Sequence, residues 1–478
     1  MKVLFLNPPF KFKLSKESRW PEFTKSGTLY YPFWLSYATG LMLEKSDHDV
    51  LLLDAIAKGW GFDKTLKKIR NFSPELVVLE TTTPTFLNDV RFAEELKEKC
   101  NCKICFVGTH VSALPDDSLK TSEAIDFVAR KEYDFTVLEL ANAIEKNGNL
   151  KRVLGLSFKQ NGKIIHNKDR PFIQNLDELP FVSKVYKKFL DVRDYRYALA
   201  RHPMIQIWSS RGCPNMCTFC VYPQTFSGRI FRVRSPENFV DELEWITQNL
   251  PQIKEIFIED DTFTVIKPRI VKICKLIKKR KLDIVWSCNA RADIPYEVLK
   301  EMKKAGCRML IIGYESGNDS ILKNIKKGMT VKRAIRFTLD AKKLGLKIFG
   351  CFMLGLPGET KKTIIQTFEL AKKLNPDMVF FQQAVPFPGT EFYEWCKSNG
   401  YLIAESWDDW LDEKGRLNCI VSYPGLSNEE IRKLREELTL KFYSSPKWIA
   451  QAILHNFHPD EMIRLFNAAK DYLTYLFQ

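Results

Sequence analysis

The sequence predicts an α/β chain: an amino-terminal doubly wound, Rossmann-like domain (residues 1–150), a hairpin and linker (151–203), a (βα)6 partial TIM barrel (204–394) and a helical carboxy-terminal region (395–478). Three observations predict it. Up to about Glu145, short apolar or β-branched runs alternate with amphipathic stretches; the alternation restarts at Met204 and makes six units; from Trp395 onward the pattern is helical. Strands separated by helix-length segments pair in parallel, and six units fall short of a closed barrel.

In the first domain the candidate strands are Val3–Leu6, Val50–Leu53, Leu76–Leu79, Ile104–Val107 and Ile125–Val128. Ser15 to Tyr31 carries no clear period before Pro32 opens an amphipathic helix from Phe33 to about Glu44. A long aromatic-tinged loop at the carboxyl end of a first strand lies where such sheets bind ligands. Two alternating runs, Val153–Phe158 and Lys163–His166, flank Asn161 and Gly162, a hairpin signal. The proline-bearing stretch from Asp169 to about Pro203 reads as the linker. Barrel strands are expected at Met204–Trp208, Ile256–Ile258, Ile284–Trp286, Met309–Ile312, Ile348–Met353 and Met378–Phe381, with a helix after each of the first five. Helices at Ser427–Tyr443 and Ser445–Asn456 read as a lid or cap.

With 45% hydrophobic and 27% charged residues in 478, the composition is that of a soluble globular protein. The first residues, an apolar burst ended by Pro8 and Pro9, lack a signal-peptide h-region, and no stretch has the roughly 18 unbroken apolar residues of a spanning helix. A cytoplasmic protein is expected. The net charge of +15 is lysine-heavy and dispersed in short runs such as Lys303-Lys304 and Lys326-Lys327, which read as solvated helix faces, so nucleic acid is not an expected partner.

Twelve cysteines are too sparse for a disulfide scaffold, and a close group points to metal or to chemistry. Cys213, Cys217 and Cys220 form such a group on the loop after the first barrel strand. Three thiolates spaced CxxxCxxC can ligate three irons of a cubane and leave the fourth open. Zinc or inert thiols are the bland alternatives, but a closed zinc site wants a fourth ligand nearby, and the nearest histidine, His202, lies at the far end of the strand. Cys100, Cys102 and Cys105 invite comparison, yet the last two enter an apolar strand and read as buried hydrophobes.

The CxxxCxxC spacing, with Phe219 just before the third cysteine, resembles the signature of the radical S-adenosylmethionine (SAM) superfamily. The resemblance implies a [4Fe-4S] cluster on Cys213, Cys217 and Cys220, and SAM bound across the strand ends. It implies Phe219 as a SAM contact and Glu259, Asp260 and Asp261 as candidates for the SAM amine. Arg291 is implied for its carboxylate, with Glu315 and Gly355 on the following strands. Glycines 313, 317, 355 and 358 permit close approach of an adenosine, and Pro386–Thr390 closes the sixth strand in the manner of the family.

The whole chain resembles members of that superfamily with an amino-terminal cobalamin-binding domain, through Gly108–Pro115 and Val128–Thr136. This implies cobalamin contacts at Thr81, Thr82, Gly108, Thr109 and His110, although for His110 a role in satisfying loop backbone ranks ahead of cofactor contact. One position departs from the pattern: where such domains carry a lower axial histidine two residues after an aspartate, Asp54 is followed by Ile56. Cobalamin is therefore expected without that ligand; the alternative is a domain that has lost the cofactor and only shapes the substrate cavity.

The implied activity is reductive cleavage of SAM to a 5′-deoxyadenosyl radical that modifies an unactivated carbon, foremost by cobalamin-dependent C-methylation. Cyclisation, carbon–carbon coupling or ring rearrangement is the alternative. A tRNA methylthiotransferase ranks low because the carboxy-terminal region is helical and no second amino-terminal cluster is evident; a non-catalytic cobalamin sensor is the remaining reading. Expected partners are a small-molecule substrate of lipid or isoprenoid kind and an external one-electron donor such as flavodoxin or ferredoxin. Leu29–Leu35 and the helix bearing Trp448, Ile449, Ile453 and Phe457 suit a greasy substrate or peripheral membrane contact, against ordinary helix packing. No side chain is singled out as hydrogen donor.

Overall fold

The computed structural model describes residues 1–24, 26–455 and 462. The first sheet contains β1 (Lys2–Asn7), β2 (Asp49–Asp54), β3 (Leu76–Glu80), β4 (Lys103–Val107), β5 (Phe127–Ala129), β6 (Leu156–Gln160) and β7 (Lys163–His166), in the order β2-β1-β3-β4-β5-β6-β7. The first five are parallel, and β6 and β7 add antiparallel. The expected hairpin forms with Asn161 and Gly162 both at positive φ (51° and 73°), as its turn requires. It does not stand apart as a connector: Leu156 and Phe158 are buried against β5, so it extends the sheet. β5 starts at Phe127, two residues later than expected, because Ile125 closes a turn onto the Ser122 carbonyl.

The helix Phe33–Lys45 is less amphipathic than its sequence suggests, since every residue from Phe33 to Met42 is buried. It lies among the first sheet, the helix Asp134–Glu145 and the helix Val182–Phe189. Ser36 and Thr39 hide their hydroxyls on carbonyls one turn back, at 2.6 and 2.7 Å. Glu17 caps the amino terminus, accepting from Trp34 N–H (2.5 Å) and Leu35 N–H (3.0 Å). The stretch read as linker holds the helix Val182–Phe189, whose Tyr186 stacks on Tyr31 with ring centroids 4.3 Å apart.

The second sheet begins with β8 (Met204–Ile207). A short ribbon follows, β9 (Ser210–Arg211) with β10 (Arg232–Val233), and then β11 (Glu255–Ile258), β12 (Trp286–Ala290), β13 (Cys307–Glu315), β14 (Lys347–Leu354) and β15 (Met378–Gln383). Its order is β15-β14-β13-β12-β11-β8, parallel throughout and open between β8 and β15. The third strand runs from Trp286 and not from Ile284, whose carbonyl packs on Gly306, where a Cβ would lie 2.1 Å from that oxygen. Strand geometry thereby continues through Ser287–Ala290 and carries Asn289 toward the site.

One apolar core runs through both sheets, and buried ion pairs tie them: Arg211 to Asp134 (2.8 Å) and Arg232 to Glu132 (2.7 Å). In the carboxy-terminal region, Ser427 caps the helix Asn428–Tyr443 in a capping box with Glu430, and that helix packs on β15. The helix Pro446–His455 follows; Trp448 donates to the Asp377 carbonyl, while Ile449 and Ile453 are exposed. Asn456 and Phe457 of the expected helix lie outside the described residues. Among the described residues no helix is long and apolar enough to cross a membrane.

Candidate active site

The loop after β8 is fixed before any ligand is considered. Ser209 and Ser210 each donate backbone N–H and hydroxyl to the fully buried Asp260, at 2.6–3.2 Å, locking the loop start to the end of β11. Gly212 has φ 81°, and a Cβ there would lie 2.2 Å from the Ile230 carbonyl, so only glycine fits. Cys213 N–H donates to Gly228 (3.1 Å), Arg229 donates to the Asn215 carbonyl, and Thr218 N–H donates to Ile325 (3.2 Å). Three thiols are thereby set in one pocket. Cys213 and Cys217 are buried, and Asn215 Nδ2 donates to the Cys213 Sγ at 3.2 Å. Burial, then Asp261, Cys217 and Cys213, push the Cys220 thiol up. Among the described residues no three His, Cys, Asp or Glu side chains close round a single ion. The donor set is three thiols with no fourth side chain, the pattern that suits separate irons of a cluster and not a closed zinc site.

Beside this pocket Arg19, from the segment between β1 and the first helix, joins Glu259 (Nη1 to Oε1, 2.5 Å) and Asp261 (Nη2 to Oδ1, 2.9 Å). Gln206 and Asn289 donate to the Glu259 carboxylate at 3.2 and 3.3 Å, and Ser227 donates to Asp261 at 3.0 Å. Burial raises the Glu259 carboxyl while Arg19 opposes the shift. Burial works against the Arg19 cation, but Asp261 and Glu259 outweigh it and hold the guanidinium protonated.

At the end of β13, Glu315 adopts φ 63° and binds Lys327 Nζ at 2.6 Å. A Cβ at Gly313 would lie 2.2 Å from the Glu315 oxygen, so that glycine leaves room for the pair. Lys327 is kept protonated against burial, first by Glu315, and the bond from Thr218 N–H to the Ile325 carbonyl holds its segment against the cysteine loop. Arg291 donates to the Lys327 carbonyl. After β14, Glu359 accepts from Gly355 N–H (2.6 Å) and Leu356 N–H (3.0 Å), and burial pushes its carboxyl up to about 8. Thr218 Oγ1, Glu359 Oε1 and Gln382 Oε1 are buried without a protein partner, polar atoms that a bound molecule would satisfy.

Residues 209–371 match the model of the radical SAM superfamily. An uncharacterized methyltransferase of Pyrococcus horikoshii is 33% identical over 461 residues, 95% of both chains. This chain belongs to the radical SAM superfamily. It is an enzyme of that class, and the anaerobic magnesium-protoporphyrin IX monomethyl ester cyclase of Rubrivivax gelatinosus is 26% identical over 82% of this chain and 70% of its own. The fold matches that of the radical SAM methyltransferase TsrM from Kitasatospora setae, solved with cobalamin and a [4Fe-4S] cluster, with a TM-score of 0.71 over 93% of this chain and 89% of that one at 17% identity.

In this radical SAM enzyme the structure brings Cys213, Cys217, Cys220, Glu259, Asp261 and Glu315 to one end of the barrel, with Phe219 buried in the cysteine loop. It withdraws Asp260, whose oxygens are taken by Ser209 and Ser210. Lys327 is buried, contrary to the reading of Lys326-Lys327 as a solvated run. Lys327, Arg19 and Asn289 were missed by sequence reasoning; only the position of the aperiodic loop hinted at Arg19.

At the carboxyl edge of the first sheet, Thr81 and Thr82 after β3 lie beside Gly108 after β4. A Cβ on Gly108 (φ 117°) would meet the Thr81 carbonyl at 2.2 Å, so the protein's own packing already requires glycine there. Thr109 opens the short helix Thr109–Ala113. His110 is buried between Phe86 and Trp407, its Nδ1 3.1 Å from the Thr83 hydroxyl, and burial lowers it to about 3, so the ring is neutral. Ile56 is buried. Cys102 and Cys105 are buried in or beside β4, and burial pushes Cys102 up to about 12. A surface cavity of about 410 Å3 lined by Glu75, Lys97 and Cys102 opens at the opposite, amino-terminal edge of that sheet.

Proposed function

We propose that this radical SAM enzyme methylates an unactivated carbon of a small, apolar substrate, with cobalamin as the methyl carrier. The observation that carries the reading is the Arg19 bridge: a side chain that leaves the first sheet ends on the two carboxylates beside the cysteine pocket, so both halves serve one reaction space. Cys213, Cys217 and Cys220 would hold the [4Fe-4S] cluster, which when bound supplies the electron for SAM cleavage. Glu259 and Asp261 offer two carboxylates to one guanidinium, leaving charge for the SAM ammonium, and Arg291 suits its carboxylate. Trp34, Trp208, Tyr222 and Phe226, with ring centroids 4.4–6.4 Å apart, wall the first helix to the cysteine loop and exclude water.

Thr81, Thr82, Gly108, Thr109 and the neutral His110 suit a cobalamin approached through small or uncharged groups, and the cofactor would supply the methyl group. Ile56 offers no electron pair, so that turn would not ligate cobalt. The likeness to TsrM, solved with cobalamin, and to the methyltransferase of Pyrococcus horikoshii supports methylation. The likeness to the magnesium-protoporphyrin ester cyclase supports cyclisation as the second reading.

Anaerobically reconstituted protein from cells grown with hydroxocobalamin is the test. Stoichiometric corrinoid, 5′-deoxyadenosine release and transfer of label from methyl-labelled SAM are expected. Protein without corrinoid would sink methylation and leave cyclisation, and absence of SAM cleavage would remove both.

A further inference from the structure

The outer surface of the cysteine loop is apolar where it meets solvent. Met216, one residue before Cys217, is 48% exposed, Ile230 is 57% exposed, and Pro214, next to Cys213, is exposed as well. These residues form one surface: Ile230 packs its carbonyl on Gly212, and Arg229 donates to the Asn215 carbonyl. Cys213 and Cys217 beneath are 8% and 7% exposed, and Pro214 and Met216 are their direct covalent neighbours, so the patch lies one residue from two of the three thiols.

The rim is cationic. Thr218 N–H bonds the Ile325 carbonyl, which brings the exposed Lys323 and Lys326 beside the loop. Lys326 is paired with Glu391 at 2.6 Å. Arg229 and Lys323 have no carboxylate partner among the described residues, and Arg229 Nη2 is buried without any partner. An apolar centre edged by two exposed lysines, of which Lys323 has no carboxylate partner among the described residues, fits a protein surface that is apolar at its redox group and acidic around it.

We propose that Pro214, Met216 and Ile230, edged by Lys323 and Lys326, form the docking site of an acidic one-electron carrier protein. In the complex one electron leaves the reduced carrier, which is oxidised by one electron, and enters the iron–sulfur site held by the three cysteines; no atom is transferred. The inference rests on the radical SAM assignment and gives its electron source a place.

Two variants test it, Ile230→Glu and Lys323→Glu/Lys326→Glu, with flavodoxin as the probe. Binding of oxidised flavodoxin is measured first, without turnover: parent binding weakens between 50 and 300 mM salt, and each variant binds at least about tenfold more weakly. SAM cleavage is then driven either by reduced flavodoxin or by dithionite. A rate about tenfold lower with flavodoxin and unchanged with dithionite supports the site. Flavodoxin binding that is absent in the parent, indifferent to salt, or equal in parent and lysine variant overturns it, as does an equal loss with both reductants. Failure of the parent to cleave SAM with either reductant would strike the proposed function instead, while the binding measurement still decides the docking surface.

Discussion

Replacing Arg19 by methionine keeps the apolar stem and removes the charge from Glu259 and Asp261. Both carboxylates are nearly fully buried, with side chains 2–3% exposed, and the guanidinium reaches them at 2.5 and 2.9 Å with its own side chain 21% exposed. Breaking a buried pair on one side costs about 3–5 kcal/mol, and the partial exposure of Arg19 points to the lower end. At roughly 2–4 °C per kcal/mol for a cooperative unit of 150–250 residues, about 3 kcal/mol lowers the melting temperature by about 6–12 °C. Adding Glu259→Gln removes one orphaned charge, so Arg19→Met/Glu259→Gln melts above Arg19→Met. A ligand cation restores the balance in the same way: if the SAM ammonium meets these carboxylates, SAM raises the melting temperature of Arg19→Met more than that of the parent. Thermal melts of the three proteins with and without SAM decide the matter. An Arg19→Met variant melting within 2 °C of the parent, or no recovery on adding Glu259→Gln, refutes the charge balance, and equal SAM shifts in parent and variant remove the ammonium from this position.

Cys217→Ala is expected to bring bound iron toward zero while the first sheet stays folded, checked by iron analysis and circular dichroism; a full cubane would overturn the ligand set. Gly212→Ala forces a Cβ against the Ile230 carbonyl at φ 81° and should lower both melting temperature and iron retention, since the next residue is Cys213. Glu80 is pushed up to about 8, first by burial. Its folded form keeps a proton that the unfolded carboxyl releases above about 4.5, so the stability it contributes is present below that pH and lost as pH rises through 8. Glu80→Gln should therefore gain on the parent in melting temperature from pH 5 to pH 9, and parallel curves would contradict the buried, protonated carboxyl.

The strand series was legible because parallel strands buried on both faces read as continuous apolar runs, and the cysteine loop because spacing alone carries its chemistry. The end of the third barrel strand was not, since Ser287, Cys288 and Asn289 lie toward the site and lack the apolar signature of a strand. Asp260 illustrates the opposite error: a carboxylate among carboxylates looks like a ligand, yet it serves as an anchor for Ser209 and Ser210. Charged side chains deceive for one physical reason. Lys327, Lys16 and Glu17 are hidden by partners that no local pattern announces, such as Asp89, 73 residues from Lys16 and 2.6 Å from its ammonium.

The loop that showed no period is aperiodic because its side chains serve four destinations in turn. Lys16 goes to Asp89 on the first-sheet side, Glu17 to the amino terminus of the first helix, Arg19 to the barrel carboxylates, and Glu22 accepts from Leu417 N–H in the carboxy-terminal region. A helix or strand could not reach all four. The same logic bears on Ile56. Asp54, the aspartate that precedes an axial histidine in related domains, here accepts from Asn7 (2.9 Å), Ala57 N–H (3.0 Å) and Tyr195 (3.0 Å). Tyr195 in turn stacks on Tyr31, at the end of that loop, with centroids 4.1 Å apart. A histidine placed at 56 would enter an apolar core and find the carboxylate already claimed by groups from β1 and from the segment leading into the barrel. The loss of the ligand is thus built into the joint between the two sheets and is not a lone substitution, which is why the chemistry proposed for this enzyme assigns cobalt no ligand from that turn.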